Sequence, residues 1–382
     1  MGNHDVNAYT SFLSFAVRKL REATANFQAM LMNRHVQTTL FVIVIGSCVL
    51  FVAGTNWTSN RQQKRTAPHT LRKIASFDLP GPAGKRFDYL TIDNDDHYLL
   101  SAHLGAGILY VIDLRDNKVL KAIPDVPGVE GVEYVPALRK AYTSDWHENK
   151  VGVIDMKRLA VIKKIPSGNK PDGSAYAEPF HKLYVSDERG RDESVIDVTT
   201  DTVLKTLRFD SETGMPQYDP VARKVYVNLQ DQSIFAVIDP ASDAVIGRYS
   251  VGKCQGNHGM ALDAEHHRAF LACEENNLMA VFDLDKHQPI AFLPLADGPD
   301  VVKFDPGLSR VYVACYSGAI SVFQEDDPDH FRKLEDFPVQ RRVHSLAVDP
   351  ATHRVYAPEE QEDGKPVARM IVYEAVVKEP SR

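Results

Sequence analysis

A recurring block of residues predicts that the chain folds as an all-β, seven-bladed propeller of four-stranded blades. The block occurs seven times at nearly constant spacing, and such a period indicates a repeat architecture. An aromatic or apolar marker residue opens the second strand of each block, at intervals of 42 or 44 residues: Leu100, Tyr142, Tyr184, Tyr226, Phe270, Tyr312 and Tyr356. A second marker, Val-Ile-Asp or a variant, follows each of them, first at 111–113 and last at 372–374. One four-stranded unit in about 40 to 45 residues is typical of a propeller blade.

Within a block, four short apolar runs are separated by turn residues, as in GSAYAE, KLYVSD, ESVIDV and TVLKTLRF. The runs are continuously apolar, which predicts sheets that are buried on both faces. The seventh block supplies three strands, whereas LRKIASFDLP at 71–80 reads as an outer strand with no block before it. We therefore expect this N-terminal strand to close the last blade and to leave no unpaired edge.

Three further segments are predicted before the propeller, which is expected to span 72–382. Residues 38–54 contain an uncharged apolar run and are expected to form a transmembrane helix that anchors the chain, or a cleaved signal peptide. Residues 1–37 would then be a cytoplasmic segment, unless the start is mis-assigned and Met32 is the first residue, and 55–71 a linker. The propeller is accordingly predicted in the bacterial periplasm or at the cell surface, anchored to the inner membrane, or secreted after cleavage.

The charge is divided unevenly along the chain. Residues 1–71 carry seven Lys and Arg against two Asp and Glu, which leaves 37 basic and 49 acidic side chains, a net charge of -12, for the rest. A domain with this charge repels polyanions, so nucleic-acid binding is disfavoured. The chain also contains no P-loop, no dinucleotide-binding glycine motif, no Gly-x-Ser-x-Gly and no Cys-x-x-Cys-His.

The repeat register predicts that polar side chains from remote blocks meet at one end of the channel. The first ring lies twelve residues before each marker, at the start of the innermost strand: Asp88, Glu130, Asp172, Gly214, His258, Asp300 and His344. The second ring lies three residues after each marker: His103, Asp145, Asp187, Leu229, Cys273, Cys315 and Glu359. Because the first two strands are antiparallel, both rings are expected at the same channel mouth.

This mouth is a candidate binding site for a small polar ligand, a peptide or a partner protein. The predicted ligand-binding residues are Asp88, Glu130, Asp172, His258, Asp300 and His344, with Trp146 on a loop at the same end. In a second interpretation, His103, His258 and His344 hold a divalent metal, and Asp88, Asp172 or Asp300 add oxygen donors or act as general bases. In a third interpretation, the polar side chains only satisfy the backbone and water.

Two cysteines belong to the fifth block, where the loop departs from the Gly-x-x-Pro-Asp pattern of residues 168–172. Cys254 precedes the innermost strand and Cys273 ends the second one. An intrablade disulfide, a pair of thiolate metal ligands and two inert buried thiols are the three alternatives.

Tyr-Val-Ser-Asp at 184–187, Tyr-Val-Asn at 226–228 and Tyr-Val-Ala at 312–314 are each followed by Val-Ile-Asp or a variant. This pattern resembles the YVTN β-propeller repeat family, also called YncE-like, over about residues 72–377. The resemblance implies an exported seven-bladed propeller; some relatives are periplasmic or surface proteins, one binds single-stranded DNA, and neighbouring families include lactonases and lyases. We therefore predict a ligand- or protein-binding module, with a metal-dependent lactonase, lyase or copper or iron oxidoreductase as the alternative.

Overall fold

The computed structural model describes residues 69–377, which form seven antiparallel sheets of four strands each. The first strand, β1 (Leu71–Asp78), belongs to the last blade, and each later group of strands forms one blade in chain order. Blade one contains β2 (Leu90–Asp93), β3 (Tyr98–His103), β4 (Ile108–Asp113) and β5 (Lys118–Ile123). Blade two contains β6 (Val129–Val135), β7 (Lys140–Asp145), β8 (Lys150–Asp155) and β9 (Ala160–Pro166). Blade three contains β10 (Pro171–Ala177), β11 (Lys182–Asp187), β12 (Asp192–Asp197) and β13 (Thr202–Arg208).

The remaining blades repeat this arrangement. Blade four contains β14 (Thr213–Asp219), β15 (Lys224–Leu229), β16 (Ile234–Asp239) and β17 (Ala244–Ser250). Blade five contains β18 (Asn257–Asp263), β19 (Arg268–Cys273), β20 (Leu278–Asp283) and β21 (Gln288–Pro294). Blade six contains β22 (Pro299–Asp305), β23 (Arg310–Cys315), β24 (Ala319–Asp327) and β25 (His330–Pro338). Blade seven contains β26 (Ala347–Asp349), β27 (Arg354–Glu362), β28 (Lys365–Ala375) and β1.

Single 3-10 turns connect some of the strands in blades one to four. They span Leu104–Ala106, Pro136–Leu138, Trp146–Glu148, Glu178–Phe180, Glu188–Gly190 and Gln230–Gln232. The first strands of neighbouring blades contact one another all the way round, from β2 to β26 and back to β2. These strands therefore surround the central channel, and the predicted seven-bladed, four-stranded propeller is confirmed.

The N-terminal strand closes the ring as predicted. β1 pairs antiparallel with β28 from Leu71 opposite Ala375 to Asp78 opposite Arg369. Leu71 is 2% exposed and packs into the core between blades six and seven. The closing strand therefore adds both a hydrogen-bonded ladder and buried apolar surface to blade seven.

The core lies between blades rather than along the channel. One apolar cluster, for example, joins Tyr312 and Val322 of blade six to Val355 and Ile371 of blade seven. The tyrosine markers are buried in the same way, which explains the continuous apolar runs in the strands.

The predicted N-terminal segments lie outside the described residues, apart from the last three residues of the 55–71 linker. Within residues 69–377, none of the helices has the length and apolar character that crossing a membrane requires. The anchor or signal peptide at 38–54, the segment at 1–37 and the export of the propeller stay predictions.

Candidate functional site

Five of the seven residues in the first predicted ring lie on a bulge in the innermost strands, whereas Asp88 and His344 precede β2 and β26. In blade five, Asn257 pairs with Cys273 and Met260 with Leu271, so His258 and Gly259 stand opposite one residue of β19. Blades two, three, four and six carry the same irregularity at the same place. A bulge bends its strand and redirects a side chain, and here the redirected side chains of several blades meet in the channel.

His258 is the residue on which these blades converge. Its Nε2 atom lies 3.0 Å from the Tyr89 hydroxyl, 3.8 Å from Asp172 Oδ2 and 3.6 Å from Asp300 Oδ1. Blades one, three, five and six thereby contact one another across the channel. Tyr89 also packs against Met215 and Val301, and these three buried residues fill the channel beside the first ring.

Glycine at two positions of the innermost strands permits this close convergence. A Cβ atom on Gly131 would overlap the carbonyl oxygen of Asp172, and one on Gly259 would overlap that of Asp300. Neighbouring inner strands therefore approach more closely than any residue with a side chain would allow.

The two histidines of the ring favour their charged forms. Burial lowers the pKa of His258, but the charges of Glu274, Asp300 and Asp172 outweigh it and raise the pKa to about 9. Burial likewise opposes a rise in the pKa of His344, and the neighbouring Asp88 outweighs it. His344 donates its Nδ1 hydrogen to the carbonyl oxygen of Arg342 at 2.9 Å, and its Nε2 lies 3.9 Å from Asp88 Oδ2.

The carboxylates of the ring have unequal surroundings. Asp88 lies 3.1 Å from Arg86, and although burial raises its pKa, His344 and Arg86 bring the net shift below the ordinary value. Burial, with the charges of Asp172 and Asp88, raises the pKa of Glu130 to about 10. Burial is also the main reason that the pKa of Asp172 is raised to about 7.

Several buried polar atoms at the mouth have no hydrogen-bond partner in the described part of the protein. They are Asp88 Oδ2, Glu130 Oε2, His258 Nδ1 and His344 Nε2. Leaving a buried donor or acceptor unsatisfied costs on the order of 1–3 kcal/mol. The mouth therefore retains polar groups that contribute little to the stability of the fold.

The structure adds charged residues that the sequence analysis missed. Lys170 forms an ion pair with Glu188, lies 3.9 Å from Glu130 Oε1, and stands 5.4 Å from the centre of the Trp146 ring. Glu274 approaches His258 and Asp300, so that one ligand atom from each of the three lies within 4.8 Å of the others. The register contained a signal for both acids: Glu188 and Glu274 occupy the same repeat position as Trp146, four residues after the marker.

The second predicted ring is at the same end but inside the blades. His103 is fully buried, stacks on Phe87 with ring centres 4.0 Å apart, and has Nδ1 3.0 Å from the Tyr110 hydroxyl. Its Nε2 lies 3.2 Å from the carbonyl oxygen of Lys85, and burial lowers its pKa to about 4. His103, one of the three histidines expected to hold a metal, thus has both ring nitrogens within hydrogen-bond distance of other protein groups.

A disulfide joins Cys254 and Cys273, whose Cα atoms are 5.2 Å apart. This selects the first of the three alternatives for the cysteine pair. The bond holds the loop before His258 against the end of β19, next to Glu274. Cys315 is a buried free thiol.

The comparisons with known proteins concern the fold. No protein-family profile matches the chain, and no curated protein matches its sequence. The WD40 repeats of RRP9 are similar in structure, with a TM-score of 0.68 at 13% identity over 79% of this chain and 99% of that one. The virginiamycin B lyase of Staphylococcus aureus has a TM-score of 0.66 at 11% identity, over 80% of this chain and 99% of the lyase. The Kuenenia stuttgartiensis hydrazine synthase has a TM-score of 0.65 at 16% identity, over 74% and 94%.

Proposed function

We propose that the protein is an exported propeller of the YVTN type that binds a partner protein or peptide by holding a cationic side chain at the channel mouth. The repeat motif supports the YVTN assignment, and the apolar segment at 38–54 supports export to the bacterial periplasm or surface. Among the similar folds, one belongs to a mitotic checkpoint complex, so propellers of this shape occur in protein assemblies. The fold is suited to protein binding.

The observation that carries the proposal is an excess of carboxylates at the mouth, some with unused oxygens. Six acidic side chains gather there: Asp88, Glu130, Asp172, Glu188, Glu274 and Asp300. Arg86, Lys170 and the charged forms of His258 and His344 offset part of this charge. Glu130 Oε2 nevertheless has no hydrogen-bond partner among residues 69–377, and Asp88 Oδ2 has only the ion-pair contacts with Arg86 and His344. An ammonium or guanidinium group supplies several N–H donors and a positive charge, and so satisfies both needs.

Aromatic side chains at the rim would contact the rest of such a partner. Trp146 is half-buried and already has the Arg189 guanidinium 5.3 Å from its ring centre. Tyr316 is 39% exposed and lies 5.3 Å, between ring centres, from His344. Aromatic residues of this kind are common anchors in protein interfaces.

A peptide array tests the proposal with matched variants of the full-length chain. Peptides that contain one Lys or Arg should be retained over otherwise identical peptides with Glu. The variant Asp300→Asn, which removes one charge from the mouth, should weaken retention by about tenfold, the equivalent of roughly 1.4 kcal/mol. The control Asp285→Asn changes an exposed acid in the turn between β20 and β21, and should leave retention unchanged. Equal retention of basic and acidic peptides by the wild type would refute the proposal.

A metal-dependent enzyme is the second candidate, and the grouping of His258, Glu274 and Asp300 favours it. One imidazole and two carboxylates are donors that suit zinc, iron or copper, and a bound ion would act as a Lewis acid on a lactone or a similar carbonyl. Elemental analysis of the full-length chain purified without chelator should then find an ion in the wild type that His258→Ala removes. A metal content that His258→Ala leaves unchanged would count against this candidate.

A further inference from the structure

A second group of possible metal ligands lies at the other end of the channel, between blades five and six. Asp263 ends β18, and its Oδ1 accepts the backbone N–H groups of Glu265 and His266 at 3.2 and 3.3 Å. Its other oxygen, Oδ2, lies 2.5 Å from Nδ1 of His266. This turn therefore presents a carboxylate and an imidazole together.

Glu325 of β24 enters the same space from blade six. The residue is 4% exposed, and neither oxygen of its carboxylate has a hydrogen-bond partner within residues 69–377. Its Oε1 lies 4.0 Å from Nδ1 of His266, and one ligand atom from each of Asp263, His266 and Glu325 lies within 4.8 Å of the others. A buried carboxylate with two unsatisfied oxygens destabilises the fold and points to an absent partner.

The repeat shows how unusual this carboxylate is. Glu325 donates its backbone N–H to Ser309, and the matching bond is donated by Leu114, Met156, Val198, Leu284 and Ala375 in other blades. All five of those residues are apolar, and the first four are buried. Blade six thus has an acid where five other blades have an apolar residue, and this acid faces Asp263 and His266 of blade five.

We propose that Asp263, His266 and Glu325 bind a divalent transition-metal ion, in the first place Zn²⁺, which links blade five to blade six. One imidazole nitrogen and two carboxylate oxygens match the donors of zinc sites, and water would complete four-coordination. The side chain of His266 is 40% exposed, so the ion has a path from solvent.

The charges around the group are consistent with such an ion. Burial and the neighbouring Asp263 raise the pKa of Glu325 to about 7, while His266 and Arg268 oppose the rise. Arg268 is itself engaged by Asp283 at 3.3 Å and Asp329 at 3.1 Å. The Arg268 guanidinium is therefore already paired, which leaves the Glu325 carboxylate to a bound ion.

Zinc titration of the metal-free full-length chain, by calorimetry and by thermal unfolding, tests the site. The wild type should bind zinc here, and its melting temperature should rise with the logarithm of the zinc concentration. Glu325→Gln should lower the affinity by at least about 100-fold. Glu325→Leu, which restores the residue found in blades one and five, should fold, melt higher than the metal-free wild type and bind no zinc at this site.

Two control variants separate this site from its surroundings. His267→Gln changes the neighbouring imidazole, which faces Asp285 instead of Glu325, and should bind zinc as the wild type does. His258→Gln removes any ion at the mouth and should leave this zinc in place, so the two metal proposals fail independently. Zinc binding that survives both Glu325 variants, or a wild type that takes up zinc only through His258, would overturn the proposal.

Discussion

The two ends of the channel use the same residue types in opposite ways. At the end away from the mouth, five of the seven inner strands finish in an Asp that accepts backbone N–H groups of the next turn, as Asp305 does from Gly307 and Leu308 at 3.0 and 3.3 Å. The other oxygen of Asp305 lies 2.9 Å from Nδ1 of His353 in the next blade. At the mouth, Asp88 Oδ2 and Glu130 Oε2 are buried and accept no hydrogen bond within residues 69–377, although Asp88 Oδ2 lies 3.1 Å from Arg86.

This difference separates residues that stabilise the fold from residues that are available for binding. A carboxylate that accepts backbone hydrogen bonds completes a turn, and Asp349 does so with both oxygens engaged, Oδ1 by the Ala351 N–H and Oδ2 by the Thr352 hydroxyl. Asp93 and Asp219 accept the same backbone bonds with Oδ1 and leave Oδ2 without a hydrogen-bond partner in the described part of the chain. An unsatisfied buried carboxylate reduces stability, and groups of this kind are characteristic of functional sites. Glu325 follows the pattern of the mouth although it lies at the opposite end, which is why we assign it a ligand.

The largest effect is expected from a change that disrupts the folded ring and therefore both ends of the channel. Deletion of residues 71–78 removes β1 and exposes the edge of β28, so the ring can no longer close. Scanning calorimetry should show that cooperative unfolding is lost. The substitution Arg72→Ala, on an exposed side chain of the same strand, should leave the transition intact. Unchanged melting of the deletion variant would show that the two ends do not depend on closure.

A smaller effect is expected at the mouth alone when the disulfide is removed. The bond closes a loop with a sequence separation of 19, so Cys254→Ser with Cys273→Ser should lower the free energy of unfolding by about 3 kcal/mol. Urea unfolding measures the loss, and peptide retention at the mouth should weaken while zinc binding at Glu325 persists. Cys315→Ser, at the free buried thiol, is the control and should have a smaller effect. Equal losses for the two variants would contradict a role for the bond.

The smallest effects are expected when a single carboxyl group is replaced by an amide, once at the mouth and once at the opposite end of the channel. Glu130 has a raised pKa, so the folded chain holds a proton that the unfolded chain releases above a pH of about 4.5. The contribution of Glu130 to the stability of the folded chain is therefore lost as the pH rises. Glu130→Gln should raise the free energy of unfolding by on the order of 1–2 kcal/mol at pH 8 and by little at pH 4.

Asp305→Asn makes the matched change at the satisfied end. It should lower the free energy of unfolding by about 1 kcal/mol, because the amide replaces an acceptor of two N–H groups and a histidine partner. Urea unfolding at the two pH values measures both variants. Destabilisation by Glu130→Gln at pH 8, or stabilisation by Asp305→Asn, would break the distinction between the two ends.

Much of the fold was predictable because its determinants are local and repeated. The interval between markers, the four apolar runs in each block and the extra strand at 71–80 predict seven blades and their closure, and the structure confirms them. The candidate mouth was predictable in part. Register placed Asp172, His258 and Asp300 in one ring, and the same register could have found Glu188 and Glu274.

Contacts across the channel were not predictable in this way. The approach of Tyr89 to His258 joins two blades that are not neighbours, and the position of His103 depends on its stacking on Phe87 and its contact with Tyr110. Glu325 is similar, since its meeting with Asp263 and His266 requires the packing of blade five on blade six.

The sequence by itself therefore determined the number of blades, their strands, the closing strand and the circle of residues from which a site could be built. A fixed period is enough for these features because each block forms the same hydrogen bonds within itself. Only the tertiary structure decided which side chains of that circle meet, which are satisfied and which keep free polar atoms. Those outcomes depend on side-chain direction and on distances between blades, and both arise only when the ring is closed.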